Sequence, residues 1–194
     1  MSIELEPDPS HPLPAGVCLR ILGKDDIELL VDHLTALDPD GRRDRFNSAT
    51  TAEWVADYAR RSIHPGTLVI AAEFEDRAIG VAELHPLRHD TAELAFSVLK
   101  DWRGKGIGET LFALIVEAAW SRGLDAIEIT THPDNQRMKR LARKFGAELK
   151  FDHGDTVGRL ALDEIRMLDT DGAPRPWAPH APRRVAARGA ARIS

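Results

Sequence analysis

Cysteine is almost absent from this chain, since Cys18 is the only one among 194 residues. A single thiol excludes an internal disulfide and a zinc cluster built on cysteines. The sequence also lacks an apolar run of the roughly 18 residues that a membrane-spanning helix needs. Its acidic start, "MSIELEPDPSHPLP", lacks the basic and apolar regions of a secretory signal. These absences predict a soluble cytoplasmic protein without a membrane partner.

Basic charge is also in short supply. The 26 lysines and arginines are outnumbered by 31 aspartates and glutamates, which gives a net charge of -5. Because nucleic-acid binding requires a basic face that pairs with phosphates, this balance argues against DNA or RNA as the partner.

The domain organisation follows from length and local composition. A chain of 194 residues with 43% hydrophobic residues is large enough for one globular domain, which we expect over residues 17–168. Prolines at 7, 9, 12 and 14 disfavour regular structure, so residues 1–16 are predicted to form a flexible arm. Residues 169–194, rich in proline, alanine and arginine, are predicted to be a flexible or docking tail.

Hydrophobic periodicity predicts a mixed order of strands and helices. The predicted strands cover 17–22, 67–73, 78–84, 91–99 and 125–130, followed by a hairpin over 147–162. The predicted helices cover 24–37, 51–62, 106–122 and a segment that starts at Pro133 and ends before Gly146. The segment "DPDGRRDRFNS" between the first two helices is predicted to be a turn-rich connection. This order predicts an α+β (mixed α/β) fold and not a doubly wound sheet.

The most informative stretch is "VLKDWRGKGIGETL", residues 98–111, where a strand leads into a helix through Gly104, Gly106 and Gly108. Glycines there expose the unpaired amides of the first helical turn, which together with the helix dipole attract phosphate. A tight turn that is merely rich in glycine is the structural alternative. The spacing excludes a P-loop, and Glu109 stands where a dinucleotide-binding motif needs its third glycine.

Two stretches carry a family resemblance. "SVLKDWRGKGIGETLF", with its Arg103-x-x-Gly106-x-Gly108 pattern, and "HPDNQRMKRLARKFGA" resemble the signature of the GNAT-family N-acetyltransferases. The motifs are most similar to the acetyltransferase domain of bacterial protein lysine acetyltransferases, and the resemblance covers about residues 17–162. It implies a mostly antiparallel sheet of six to seven strands, splayed between the fourth and fifth and flanked by about four helices.

The resemblance implies acetyl-CoA as cosubstrate and no metal. The pantetheine arm would pair with backbone near Ser97 and Val98, and a main-chain amide there would stabilise the oxyanion. Asn135 matches the family asparagine beside that arm, although it could equally be a polar residue that starts a helix. The pyrophosphate would be held by the loop residues Arg103, Gly104, Lys105, Gly106, Ile107 and Gly108.

Glu93 is the candidate catalytic residue. It matches the position at which several members of the family place a general base, and the alternative is a glutamate in solvent at a strand end. Glu83 is the reserve candidate. Ala142 stands where many members have a tyrosine as general acid, and Tyr58, the only tyrosine, is not predicted to replace it. His85, His89 and His132 lack metal-ligand spacing and are predicted to be ordinary polar positions.

The resemblance predicts acetyl transfer to an amine by direct attack in a ternary complex, because no cysteine near the motif could form an acyl-enzyme. The amine could be a protein lysine, an N-terminus or a small molecule, and a homodimer is left open. The alternatives are an acyl-CoA-binding regulatory module without turnover and a nucleotide dehydrogenase. The charged residues of 38–45 would either bind an acidic substrate or form a solvated turn. These residues are Asp38, Asp40, Arg42, Arg43, Asp44 and Arg45.

Overall fold

The computed structural model describes residues 3–5 and 12–162, whose strands form a single sheet in the order β1-β2-β3-β4-β5-β6-β8-β7. The predicted tail over 169–194 lies outside the described residues. The eight strands of the described part are β1 (Ile3–Leu5), β2 (Cys18–Leu22), β3 (Leu68–Phe74), β4 (Arg77–Pro86), β5 (Thr91–Val98), β6 (Ala126–Thr131), β7 (Glu148–Asp152) and β8 (Asp155–Ala161).

Five α-helices accompany this sheet in the described residues. They are α1 (Ile27–Thr35), α2 (Pro39–Phe46), α3 (Ala52–Ser62), α4 (Ile107–Ser121) and α5 (Gln136–Lys144). The predicted α+β class and the predicted final hairpin, now β7 and β8, are confirmed.

The parallel pair β5–β6 creates the opening on which the site depends. All other neighbouring strands are antiparallel, whereas β5 and β6 run parallel and pair only over Thr91–Glu93 and Ala126–Glu128. Beyond Glu93, β5 stays beside β4 as far as Val98, and β6 stays beside β8 as far as Thr131. The two strands therefore separate, which confirms the predicted splay.

Apolar clusters cover both faces of the sheet. On one face α4 and α5 pack together, and the rings of Phe112 and Phe145 stack with centroids 4.3 Å apart. Gly80 on β4 permits this close packing, because a Cβ there would lie 2.8 Å from the Ile107 side chain. On the other face α1 and α3 bury Leu30, Leu34 and other apolar side chains against β3 and β4.

The structure differs from the sequence prediction at two elements. Residues Ile3–Leu5, predicted to lie in a flexible arm, pair with β2 as an edge strand. The prediction of a turn-rich connection after Leu37 was wrong, because α2 forms there. Pro39 occupies the first turn of α2, where its fixed φ suits a helix. The sequence signal was weak because polar contacts, and not an apolar face, hold this helix.

Candidate active site

A cavity of about 810 Å³ opens where β5 and β6 separate. It extends from the start of α4, along β5 and α5, to the end of α2 and the side of α3. Most sequence-predicted site residues line it, namely Glu93, Ser97, Val98, Arg103, Gly104, Gly106, Gly108 and Asn135. The Lys105 side chain instead lies over the Trp102 ring, 4.7 Å from its centroid, and the Ile107 side chain is buried in the core.

The glycine-rich loop leads into α4, as the sequence predicted. Gly104 and Gly106 have φ angles of +75° and +84°, a conformation that side chains with a Cβ rarely adopt. Gly106 precedes the first residue of α4 and accepts hydrogen bonds from the amides of Glu109 and Thr110. The earlier amides of the helix have no acceptor within it, so they are donors at the cavity wall.

Arg103 connects the loop to two other elements. Its Nη2 lies 2.5 Å from Asp38 Oδ1, and its Nε donates to the Val98 carbonyl at 2.9 Å. Burial alone would raise the pKa of Asp38, but the Arg103 guanidinium outweighs it and the pKa is lowered. Arg103 therefore fixes the start of α2 against the end of β5 at the cavity edge.

The hydroxyl of Ser97 is engaged behind the cavity. His33 Nδ1 lies 2.8 Å from the Ala78 carbonyl, which can only accept, so Nδ1 carries the proton. His33 Nε2 then accepts from the Ser97 hydroxyl at 2.9 Å. Complete burial lowers the pKa of His33 to about 4, so the ring is neutral at pH 7. Ser97 thus faces the cavity chiefly through its backbone.

Asn135 caps α5 while it lines the cavity. Its Oδ1 accepts from the Met138 amide at 3.0 Å, and its Nδ2 donates to Thr131 Oγ1 at 3.0 Å. These bonds agree with the structural alternative, a polar residue that starts a helix. They also hold the amide group rigidly between β6 and α5.

Glu93 is half-buried at the point where the strands separate. The sheet register places it directly opposite His85 on β4 and directly opposite Glu128 on β6. Glu128 is engaged by Arg88 at 3.3 Å. Within residues 12–162, the Glu93 carboxylate has no hydrogen-bonding side chain beside it, which leaves it facing the cavity.

Glu83, the reserve candidate, is unsuited to accept a proton. It is 0% exposed, and its Oε1 lies 2.6 Å from Arg45 Nη2 while its Oε2 lies 3.1 Å from His85 Nε2. Burial would raise the pKa of Glu83, but Arg45 and His85 outweigh that effect and lower the pKa to about 2. The carboxylate is therefore ionised throughout the neutral range.

The arginines of 38–45 have different roles from those predicted. Arg45 is buried against Glu83, so it is neither exposed to solvent nor available to bind an acidic substrate. Arg42 donates to the carbonyls of Thr35 and Leu37 at the end of α1. Only Arg43, half-exposed beside Asp40, fits the solvated alternative.

Sequence reasoning missed two sets of cavity residues. Three basic side chains of α5, Arg137, Arg140 and Lys144, line the same cavity as the glycine-rich loop. Their spacing of three and four residues is the signal that could have found them, since it places them on one helix face. His85 was the other omission, because nothing in the sequence showed that Glu83 would hold its ring.

The described residues lack two further features. Within them, no group of His, Cys, Asp and Glu is arranged to hold a metal ion. No helix among them is both long enough and apolar enough to cross a bilayer.

Comparison with known proteins gives one family match. The family model described as "Acetyltransferase (GNAT) family" matches residues 30–147. Among solved structures, the GNAT domain of PAT from S. lividans superposes with a TM-score of 0.65 at 22% identity, over 75% of this chain and 90% of that one. Identity at this level shows the fold alone.

Two coenzyme A complexes are also similar. PaiA N-acetyltransferase from Thermoplasma acidophilum, solved with coenzyme A, has a TM-score of 0.59 at 17% identity, over 75% of this chain and 98% of that one. RimL, a ribosomal L7/L12 alpha-N-protein acetyltransferase solved with coenzyme A, has a TM-score of 0.62 at 15% identity, over 79% of this chain and 98% of that one.

Proposed function

This chain belongs to the acetyltransferase (GNAT) family, and from that premise we propose that it transfers an acetyl group from acetyl-CoA to an amine by direct attack in a ternary complex. One observation supports this most strongly. One cavity is lined by the start of α4, by basic side chains of α5 and by a half-buried carboxylate, that of Glu93. A polyanionic coenzyme suits the first end, and an amine suits the second.

The residues present fit acetyl-CoA. Loop residues 104–108 would donate backbone hydrogen bonds to the pyrophosphate, and Arg103 would contribute charge beside them. Arg137 and Arg140 would pair with the remaining phosphate charge, whereas Lys144 is already paired with Glu109. Strand β5 would offer its backbone at Ser97 and Val98 to the pantetheine arm, because β6 no longer pairs with it there. Asn135 would border that arm.

The amine must lose a proton for the reaction to proceed. Neutralising an amine with a lysine-like pKa near 10.4 at pH 7 costs about 4.6 kcal/mol. We assign the removal of this proton to Glu93, whose carboxylate faces the cavity. The departing thiolate receives no proton from position 142, since the Ala142 side chain has no acidic group. Because a thiol has a pKa near 8.5, the departure of coenzyme A as an unprotonated thiolate costs only about 2 kcal/mol at pH 7.

The acceptor end of the cavity is lined by residues of α2 and α3, among them Asp44, Phe46 and Tyr58. RimL, a similar structure, is described as acting on a protein. We therefore propose a protein or peptide amine as the acceptor, and a cytoplasmic location stays a prediction.

The test is turnover with a defined amine panel. Release of coenzyme A thiol would be followed with acetyl-CoA and, in turn, poly-L-lysine, an unblocked alanyl peptide and spermidine. We expect turnover with one of them, and Glu93→Gln should lower kcat at least tenfold. Its acetyl-CoA dissociation constant should stay within about twofold because the phosphates bind elsewhere.

Glu148→Gln is the matched control, an exposed glutamate on β7 away from the cavity. It should leave both constants unchanged. Binding of acetyl-CoA without turnover of any amine would favour the regulatory module instead. Undiminished kcat in Glu93→Gln would show that another group takes the proton.

A further inference from the structure

We propose that His85 completes a proton relay, receiving from Glu93 the proton that the amine releases, while Glu83 holds the imidazole in the required tautomer. The proposal rests on the proposed acetyl transfer and adds a residue that the sequence motifs did not mark. Two observations support it, namely the hydrogen bonds of His85 and the position of His85 opposite Glu93 in the sheet.

The tautomer of His85 follows from its partner. Nε2 lies 3.1 Å from Glu83 Oε2, and an ionised carboxylate can only accept a hydrogen bond. Arg45, 2.6 Å from the other carboxylate oxygen, keeps Glu83 ionised. Nε2 must therefore carry the proton of the neutral ring. Nδ1 then holds a lone pair, and it has no hydrogen-bond partner within residues 12–162.

The sheet register places His85 beside Glu93 at the reaction end of the cavity. His85 and Glu93 are directly opposite on the antiparallel strands β4 and β5. Such pairs have Cβ atoms about 5 Å apart on one face of the sheet. Both residues line the cavity, whereas Glu83 does not. A proton accepted by Glu93 from the cavity thus has an imidazole beside it.

The proton leaves the amine in two successive steps. The amine nitrogen bonds to the acetyl carbon as the carbon–sulfur bond to coenzyme A breaks, and the sulfur leaves as a thiolate with the electron pair of that bond. The nitrogen loses a proton to the Glu93 carboxylate, which passes it to Nδ1 of His85. His85 lines the open cavity and releases this proton to solvent, so that both residues are restored for the next turnover.

Several ionisable groups face His85 from the elements packed around it. They are Glu83 on its own strand, Glu93 on β5, Arg45 on α2 through Glu83, Tyr58 on α3 with its hydroxyl 3.4 Å from Nε2, and His64 with its ring centroid 5.9 Å away. Arg45 is paired with Glu83, and the Tyr58 hydroxyl donates to the same Glu83 oxygen that His85 contacts.

The experiment compares His85→Gln with the wild type, using acetyl-CoA and whichever member of the amine panel is turned over. We expect kcat to fall about 100-fold, while the KM for acetyl-CoA stays within about twofold. The acidic limb of the wild-type kcat–pH profile should change in this variant. In His85→Ala, imidazole added to the buffer should restore part of the rate. His89→Gln, an exposed histidine in the loop after β4, should behave as wild type.

A second measurement uses only the wild-type protein and does not depend on the variants folding. Nitrogen NMR of histidine-labelled protein should show the Nε2–H tautomer for His85. Turnover with an unchanged pH profile in His85→Gln, or an Nδ1–H tautomer in the wild type, would overturn the relay and leave acetyl transfer standing. If no amine is turned over although acetyl-CoA binds, the proposed function fails and the relay fails with it.

Discussion

Arg45 is 6% exposed at its side chain, and its guanidinium lies 2.6 Å from Glu83, which is itself fully buried. From the sequence, this arginine belonged to a charged run with no distinguishing mark. Its role depends on α2 lying close to β4, a contact between residues 38 positions apart that no local pattern encodes. Glu93 could be proposed from the sequence because the family resemblance marks its position on one strand, and its catalytic role stays a prediction.

His33 gives a stability prediction at the level of a single residue. Burial lowers its pKa to about 4. As pH falls below about 6.5, the unfolded chain binds a proton at this position and the folded chain does not. The free energy of unfolding therefore decreases progressively from pH 6.5 to 4, by on the order of 2 kcal/mol at pH 5.

His33→Asn should remove that titration. We expect the variant to be less stable than wild type at pH 8, because packing and a buried hydrogen bond are lost. The gap between the two should narrow as pH falls to 5, as measured by urea unfolding at several pH values. Parallel curves for variant and wild type across this range would contradict the assignment.

Helix α4 illustrates an element whose start could be predicted from the sequence. Glycines at alternate positions marked the point where a strand leads into a helix, and α4 begins at Ile107, directly after Gly106. Helix α2 could not be predicted, because its stabilising contacts come from distant residues such as Arg103. Local conformational preference determines where α4 starts, whereas tertiary contacts determine whether α2 forms.

The basic face of α5 provides a prediction about that element. Arg140→Gln should weaken acetyl-CoA binding about three- to tenfold, because one charge-assisted contact to phosphate is lost. Arg143→Gln is a matched change on the same helix, exposed and outside the cavity lining. It should leave the dissociation constant unchanged in calorimetric titration. Equal effects of the two changes would mean that this face does not contact the coenzyme.

At the scale of the whole molecule, element order and fold class could be predicted because each long segment has a clear hydrophobic period. The cavity could not be predicted from these periods. It arises where β5 and β6 stop pairing after Glu93, and strand periodicity gives no sign of where two strands part. The family resemblance predicted that the two strands separate, and the structure identifies the residues of α2, α3 and α5 that line the cavity between them.

Coenzyme binding at the start of α4 is the property on which the proposed function most directly depends. Calorimetric titration with acetyl-CoA should be run on wild type, Gly106→Val and Gly123→Val. Both glycines have positive φ, at +84° and +76°, and they flank opposite ends of α4, so the two changes impose a comparable backbone strain. We expect Gly106→Val to weaken binding at least tenfold while Gly123→Val binds as wild type does. Unchanged affinity in Gly106→Val, or no binding by the wild type, would contradict a coenzyme site at this helix.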